Sequence, residues 1–380
     1  MGIEIKCEKM QKGWKFFDIM HKDRSVARIY EDGRCTINYP SFMPYNLFLE
    51  TSDDFDSRIN NLNNFYRWCS SRVITPDRKY ANVIFSAVGA NQSVTDKDRA
   101  LISLSYHCLT LTDVFWVKAS DEQITFADIS LYNHSLSDAF VDVSLRGDGI
   151  TIENSEQLTT MDVAGDISTG GVSPKTWVRQ NGDFYLLKSG DERDVDAELL
   201  ASKIISCFDV DYVPYDVDTF HDLKVSKCKL ITSEKRSIVP CEFIDIYCKN
   251  KDINKFELVL EKDSYSYYMM NIIDYLVGNT DRHCGNWGFF VDNSTNELQG
   301  LYSLMDFNKA FLSYDSLDGA ACQTTERKMT QREAAIEAVK KIGLNQISPI
   351  YEDWFPDLNI FQLFVKRFDV LYKSRFSIVQ

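Results

Sequence analysis

The sequence has no two cysteines at C-x-x-C spacing, no histidines close enough to share a zinc ion, and no apolar run long enough to span a bilayer. Its ten cysteines (Cys7, Cys35, Cys69, Cys108, Cys207, Cys228, Cys241, Cys248, Cys284 and Cys322) are scattered. They read as small hydrophobes of a reducing cytosol rather than a disulfide framework. His21, His107, His134, His221 and His283 lie far apart, so no structural metal is implied. The first twenty residues mix Glu4, Lys6, Glu8, Lys9, Lys12 and Lys15 with apolar ones and lack the core of a secretory leader. No later segment reaches the roughly 18 uncharged apolar residues of a membrane span. The expectation is a cytoplasmic chain without membrane contact, with export by a specialised route left open. Basic residues are short as well: 42 Lys and Arg against 56 Asp and Glu leave a net charge of -14. That excess lacks the basic footprint of a nucleic-acid or anionic-membrane binder, so no direct nucleic-acid contact is expected.

What remains is ample for a folded protein. With 44% apolar and 13% aromatic content, 380 residues can build two or three domains around substantial cores. No internal repeat or low-complexity segment interrupts them. Alternation in Trp14–Ile19, Ser25–Tyr30 and Cys35–Tyr39 predicts a small antiparallel meander. After Pro40 and Pro44 the pattern turns helical, and Thr95 with Asp98 has the form of a capping box. Residues 40 to about 140 are expected to be mainly helices, and 1–150 an accessory domain without catalytic residues.

A turn-rich stretch, Asn154 to Gly171, leads to Trp177–Gln180 and Phe184–Lys188, two strands around an Asn181-Gly182 turn. A helical stripe follows over Asp194 to Cys207 and carries Glu198. Cys241–Tyr247 alternates as a strand. Tyr265, Tyr268, Met269, Ile272, Ile273 and Leu276 repeat at helical spacing and read as core. Thr330 and Glu333 form a second capping box, with Ile336, Val339 and Ile342 on one face and Gly343 as the stop. The reading is an α+β fold of two lobes, residues 151–248 forming a small lobe with its hinge and 249–380 a mainly helical large lobe.

The chemistry concentrates in Asn279-Thr280-Asp281-Arg282-His283-Cys284-Gly285-Asn286-Trp287 and, about twenty residues on, Met305-Asp306-Phe307-Asn308. Phosphoryl transfer needs a carboxylate beside the acceptor hydroxyl, and an Asp and an Asn to hold Mg²⁺ against the phosphates. Asp281, Asn286 and Asp306 fit those jobs, and a loop spacing of five lets Asp281 and Asn286 face one point. Leu301–Met305 reads as a short strand that ends in Asp306. Loops use Asn, Asp and Gly for their turns in any case, but this match is much longer than a chance pair. His283 is expected to fix the loop by hydrogen bonding, Arg282 to be an ion-pair partner in it, and Asn308 and Lys309 are assigned no role.

Lys188 closes an apolar strand, where a charge needs a partner, and a nucleotide phosphate would be one. Glu198 is the candidate carboxylate supporting it, with Glu192 the competing acid. Gly170 and Gly171, followed by Ser173 and Lys175, form a loop whose backbone N–H groups could approach phosphate oxygens. The G-x-x-x-x-G-K-[ST] pattern is absent. Ser168, Thr169 and Ser173 are candidate phosphorylation sites, where added negative charge would oppose ATP.

The run 279–286 with Met305-Asp306-Phe307 resembles the HipA-like Ser/Thr kinases, toxin-type kinases of bacterial toxin–antitoxin systems. The loop 170–176 and the strand Tyr185–Lys188 are similar to that family's Gly-rich loop and nucleotide lysine. The resemblance implies a protein-kinase-like fold using ATP and Mg²⁺, with Asp281 as catalytic base and Asn286 and Asp306 as metal ligands. It also implies that Lys188 binds ATP phosphates and that a 241–248 strand, with Glu242 and Ile244, offers hinge backbone to adenine. Ser168 matches a regulatory autophosphorylated serine. The implied partners are a protein substrate and an antitoxin. From the residues alone a lipid or small-molecule phosphotransferase, or a nucleotide-binding module without catalysis, stays open.

Overall fold

Alternating apolar residues near the start of the chain form β1 (Phe16–His21), β2 (Arg24–Tyr30) and β3 (Cys35–Ile37), paired antiparallel in the expected meander. The computed structural model describes residues 15–87, 95–133, 141–147 and 160–375. Cys7, Trp14, His134 and the opening of the 154–171 stretch lie outside them. Two compact units divide the chain: Met1–Lys188 with Thr232–Ser237 and Val291–Glu297, and Ser189–Ile231 with Ile238–Phe290 and Leu298–Gln380.

In the first unit the meander is followed by α1 (Phe55–Ser70), α2 (Ala81–Ala87) and α3 (Asp96–Ser105). Asp54 caps α1 by accepting from the Ser57 N–H at 2.9 Å, and Thr95 with Asp98 closes the predicted capping box of α3. The helical expectation for 40–140 misses one element. Phe115–Ala119 is a strand, β4, which pairs antiparallel with β1 and completes a sheet of order β3-β2-β1-β4. Five residues of near-continuous burial carry no alternation to announce a strand. One sheet face packs on helices through Ile19, Val26, Ile29, Phe65, Trp68 and Val117.

Two short helices, α4 (Phe126–Ile129) and α5 (Val141–Arg146), precede α6 (Thr160–Ile167). α6 corrects the turn-rich reading of 154–171, since its residues are regular helix. The predicted hairpin is present as β5 (Lys175–Gln180) and β6 (Asp183–Lys188). Its turn has φ of 52° at Asn181 and 89° at Gly182, the left-handed pair that a two-residue hairpin turn requires.

The second unit opens with α7 (Glu192–Ile205), the expected helix carrying Glu198, which packs on the hairpin β7 (Tyr215–Phe220) and β8 (Leu223–Lys229). After β9 (Arg236–Pro240) the chain enters α8 (Cys241–Lys251), so the strand expected over 241–247 is a helix. Its buried residues Cys241, Ile244 and Cys248 recur at intervals of three and four, the period of a helix face. α9 (Lys255–Val277) contains the predicted apolar stripe, with Met269, Ile272, Ile273 and Leu276 fully enclosed. Asp263 breaks the helical dihedrals inside it, at φ -161°. The freed carboxylate accepts from Ser266 N–H and from the N–H of Leu301, both at 3.0 Å.

β10 (Gly288–Asp292) and β11 (Glu297–Leu301) complete a three-stranded sheet of order β11-β10-β9. α10 (Gln331–Ile342) begins at the predicted Thr330–Glu333 capping box and stops at Gly343, and α11 (Leu358–Ser374) packs with it against α9. The fold is α+β, as expected. Among the described residues no helix is long and apolar enough to cross a membrane.

His21 ends β1 with its ring edge-on to Phe42 and Phe115, at centroid distances of 5.2 and 5.0 Å. Burial lowers its pKa from 6.5 to about 4. The folded protein therefore keeps the ring neutral while the unfolded chain takes up a proton, so this contribution is complete above pH 6.5 and is lost as pH falls through about 4. Replacing His21→Phe should flatten the acid side of the stability curve by up to roughly 3 kcal/mol relative to wild type. Urea unfolding of both proteins at pH 7 and pH 4.5 measures it, and equal pH dependence would refute the assignment.

Candidate active site

α9 must stop sharply to release the loop that follows. Gly278 provides the stop with φ of 62°, its N–H bonding Tyr275 O at 3.3 Å while Asn279 N–H bonds Asp274 O at 3.0 Å. A side chain there would meet the Tyr314 ring at 2.5 Å. The loop 279–287 has no regular structure, and side chains hold it instead.

Arg282 is the centre of that scaffold. It is 3% exposed and grips Asp274 with two bonds of 3.0 and 3.1 Å, while Nη1 donates to the carbonyls of Asn286 and Met305, each at 2.7 Å. Its guanidinium lies over the ring of buried Phe307, 4.7 Å from the centroid. Burial opposes the charge, but the adjacent Asp274 carboxylate more than compensates and raises the Arg282 pKa above its ordinary value. One side chain thus joins the end of α9, the loop of Asp281 and Asn286, and the segment of Asp306.

The three expected residues are placed by these bonds. Asp281 is 44% exposed, so its carboxylate is open to an incoming group, and its N–H is held by Asn279 Oδ1 at 3.2 Å. Asn286 is 9% exposed, and its amide donates to the Asp281 carbonyl at 2.8 Å, which turns Oδ1 away from that bond. Asp306 does not end a strand as predicted. β11 stops at Leu301, and residues 302–306 run on outside any strand, tied to 211–213 through the Leu304 main chain, with the Asp306 N–H donating to Tyr215 Oη at 3.4 Å. Asp306 itself has φ of 64°, a left-handed conformation that Asp adopts more readily than most side-chain-bearing residues.

His283 bonds within the loop. Its Nδ1 accepts from Gly285 N–H at 3.0 Å and its Nε2 lies 3.9 Å from the Asp281 carboxylate. Lys309, given no role from sequence, pairs with Asp194 of α7 at 2.7 Å. Glu198 is 1% exposed and accepts from Ser226 Oγ at 2.5 Å. Glu242 and Ile244 lie inside α8, where helix bonds take up the backbone, and the Glu242 N–H is spent on Cys284 O at 3.0 Å. The strand that would have presented hinge groups to adenine from 241–248 is therefore absent.

The Gly-rich loop and Lys188 belong to the first unit. Lys188 is 7% exposed. Gly171 has φ of 93°, and the space a side chain would fill is taken by the Lys175 ammonium, which a Cβ at this position would meet at 2.5 Å. Buried Asp166 anchors the loop to β5 by accepting from Thr176 Oγ1 at 2.8 Å and Trp177 N–H at 3.1 Å, and burial pushes its pKa up to about 6. Arg78 donates to the carbonyls of Thr169 and Lys175. Ser168 and Thr169 are half-buried at the end of α6, both bonded to the Gly165 carbonyl. Ser173 is also half-buried.

Among the described residues no cluster of three or more His, Cys, Asp or Glu forms a metal cage. Asn286 and Asp306 supply an amide oxygen and a carboxylate, a small hard donor set that suits Mg²⁺ shared with phosphate and water rather than a dedicated cage.

No family model and no curated protein matches the chain. Among solved structures, HipA of Shewanella oneidensis, in its complex with HipB and operator DNA, aligns over 96% of this chain and 100% of its own, at 12% identity and a TM-score of 0.51. The chain has a HipA-like fold. The Helicobacter pylori proinflammatory kinase CtkA aligns over 55% of this chain and 92% of its own, at 16% identity and a TM-score of 0.42. Within the HipA-like fold, the partner of Arg282 had a sequence signal that the expectations did not use: Asp274 is a lone acid inside an apolar helical run, and a charge there needs a counter-charge.

Removing one member of a buried ion pair strands the other, at about 3–5 kcal/mol. Arg282→Met should therefore lower stability by that amount, and the double variant Arg282→Met with Asp274→Leu should recover part of it. Urea midpoints of the variants decide the point, and a loss below about 1 kcal/mol in the single variant would contradict the role given to the pair.

Proposed function

We infer that the chain is an ATP- and Mg²⁺-dependent kinase that phosphorylates a serine or threonine hydroxyl of a protein. The observation that carries this reading is the Arg282 bonding pattern, which unites the Asp281–Asn286 loop with the segment of Asp306. The HipA-like fold supports it.

In this reading Asp281 orients the acceptor hydroxyl and accepts its proton as the oxygen bonds to the γ-phosphorus and the bond to ADP breaks. His283 keeps the loop in shape through the Gly285 N–H. Asn286 and Asp306 would hold Mg²⁺. Bound there, the ion neutralises phosphate charge and orients the transferred group. Lys188 is assigned to the nucleotide phosphates, with Glu198 as the carboxylate supporting it, and Gly170, Gly171, Ser173 and Lys175 to the phosphate-facing loop.

Ser168, Thr169 and Ser173 are the proposed autophosphorylation sites. At Ser168 or Thr169 a phosphate would replace a hydroxyl bonded to Gly165 O and set negative charge against the negative end of α6. Modification there would melt the end of the helix and with it the loop. The neighbouring HipA structure includes HipB and operator DNA. For this chain we assign an antitoxin partner, and the net charge of -14 favours any DNA contact passing through that partner.

Asp281→Ala should reduce phosphoryl transfer by about 10²–10⁴-fold with ATP affinity nearly unchanged. Asp306→Ala should lose Mg²⁺-dependent ATP binding altogether. Transfer from γ-labelled ATP with peptide mapping, beside calorimetric titration of MgATP, separates the two effects. Normal turnover by either variant would sink the assignment, and bound ATP without transfer to protein would redirect it to a small-molecule acceptor.

A further inference from the structure

Nine cysteines among the described residues are free, and two pairs of them are close neighbours. Cys69 and Cys108 lie in the core of the first unit, both with 0% exposure, where no reagent reaches them. The second pair differs. Cys241 is the first residue of α8 and is fully buried, whereas Cys284 is half-buried in the loop between Asp281 and Asn286. Their main chains are already fastened together, Glu242 N–H to Cys284 O at 3.0 Å and Cys241 N–H to Trp287 O at 2.8 Å. Cys284 also forms part of the wall of a cavity of about 540 Å³, lined on its other sides by Lys249, Lys255, Gln323 and Glu326. This gives the pair an attacking thiol with access and a sheltered second thiol on the main chain bonded beside it.

We propose that Cys241 and Cys284 form a thiol–disulfide switch in which a small-molecule disulfide of the glutathione type, entering by the cavity, oxidises the pair and pins the Asp281–Asn286 loop to the start of α8. The Cys284 sulfur attacks one sulfur of the reagent, breaks its S–S bond and releases one thiol. The Cys241 sulfur, losing its proton, then attacks the Cys284 sulfur of the mixed disulfide and releases the second. Two protein thiols are oxidised, one small disulfide is reduced to two thiols, and the two protein hydrogens leave on them. The two sulfurs must close to a bond of about 2 Å. That movement falls on a loop whose main chain is already held by bonds from Cys241, Glu242 and Arg282. The regulatory consequence rests on the reading of this loop as the phosphotransfer loop; the disulfide itself does not.

The test incubates the full-length protein with oxidised glutathione and maps peptides without reduction, beside Cys241→Ser and Cys284→Ser. The expected wild-type product is a Cys241–Cys284 linked peptide with the loss of two hydrogens, while Cys241→Ser retains glutathione on Cys284. A wild-type protein that keeps glutathione on Cys284, stays reduced, or links other cysteines instead overturns the proposal. Phosphoryl transfer measured on the same samples should fall by about tenfold or more in the linked form, recover with dithiothreitol, and be insensitive to the reagent in Cys284→Ser. A linked peptide with an unchanged transfer rate would overturn the regulation, and a reduced protein without transfer activity would count against the kinase reading while the mapping still decided the disulfide.

Discussion

The Arg282–Asp274 ion pair is the constraint on which the candidate site depends. Both side chains are almost completely withdrawn from water, where an unpaired charge would be prohibitive. The guanidinium is committed to that carboxylate on one edge and to two carbonyls on the other. Those carbonyls belong to Asn286 and Met305, the first in the loop of Asp281 and the second next to Asp306. Neither segment can shift without leaving part of a buried cation unsatisfied. A lysine could not substitute, because a point charge lacks the planar fork that reaches three partners at once. A second buried arginine repeats the device with no carboxylate in its hydrogen bonds: Arg367 of α11 donates to the carbonyls of Tyr275 and Ser316 and lies over the Tyr275 and Tyr314 rings. Both arginines bond in the last turn of α9, at Asp274 and Tyr275, just before the Gly278 stop.

Local chemistry made part of this legible in the sequence. The capping boxes at Thr95 and Thr330 and the hairpin at Asn181-Gly182 depend on contacts within a few residues, so the pattern of types determines the geometry. The loop 279–286 and Asp306 stood out in the sequence as a spacing pattern, whereas their placement comes from Arg282, whose bonds join two separate segments. β4 was not, since its strand character comes from pairing with β1 about a hundred residues earlier. α8 was misread for a related reason. In Cys241–Tyr247 the apolar residues satisfy alternation and helical spacing almost equally, and the period that wins is set by what the helix packs against. α6 was hidden in a stretch of turn-forming residues, where buried Asp166 bonds to β5 and makes a helix worthwhile that composition alone does not favour.

The misplacement of Asp306 carries more information than the others. A strand ending in Asp306 would have been the simplest way to aim its carboxylate, and the structure uses an irregular segment with a left-handed residue instead. Such a conformation costs on the order of 1–2 kcal/mol for a residue with a side chain. It persists because the flanks are fixed independently: Leu304 by main-chain bonds to Asp211 and Val213, Met305 by Arg282, and Phe307 by burial beneath the same guanidinium. The strain is therefore a consequence of where the neighbours must be, and it points the carboxylate in a direction that extended backbone would not.

The loops of this site are rigid without regular structure, and the source is a consistent division of labour between side chains and main chain. Asn279, Arg282, His283, Asn286, Gln323 and Gln331 each use a side chain to satisfy a backbone group of the loop or its neighbours. Helices and strands satisfy those groups by repetition, which is why they tolerate substitution along their exposed faces. Here side chains share that task with a few main-chain bonds, such as Asn279 N–H to Asp274 O and Asn286 N–H to His283 O, so the same six positions have few substitutes. An irregular loop built this way has few alternatives to relax into, which is the kind of support that close placement of Asp281 and Asn286 requires.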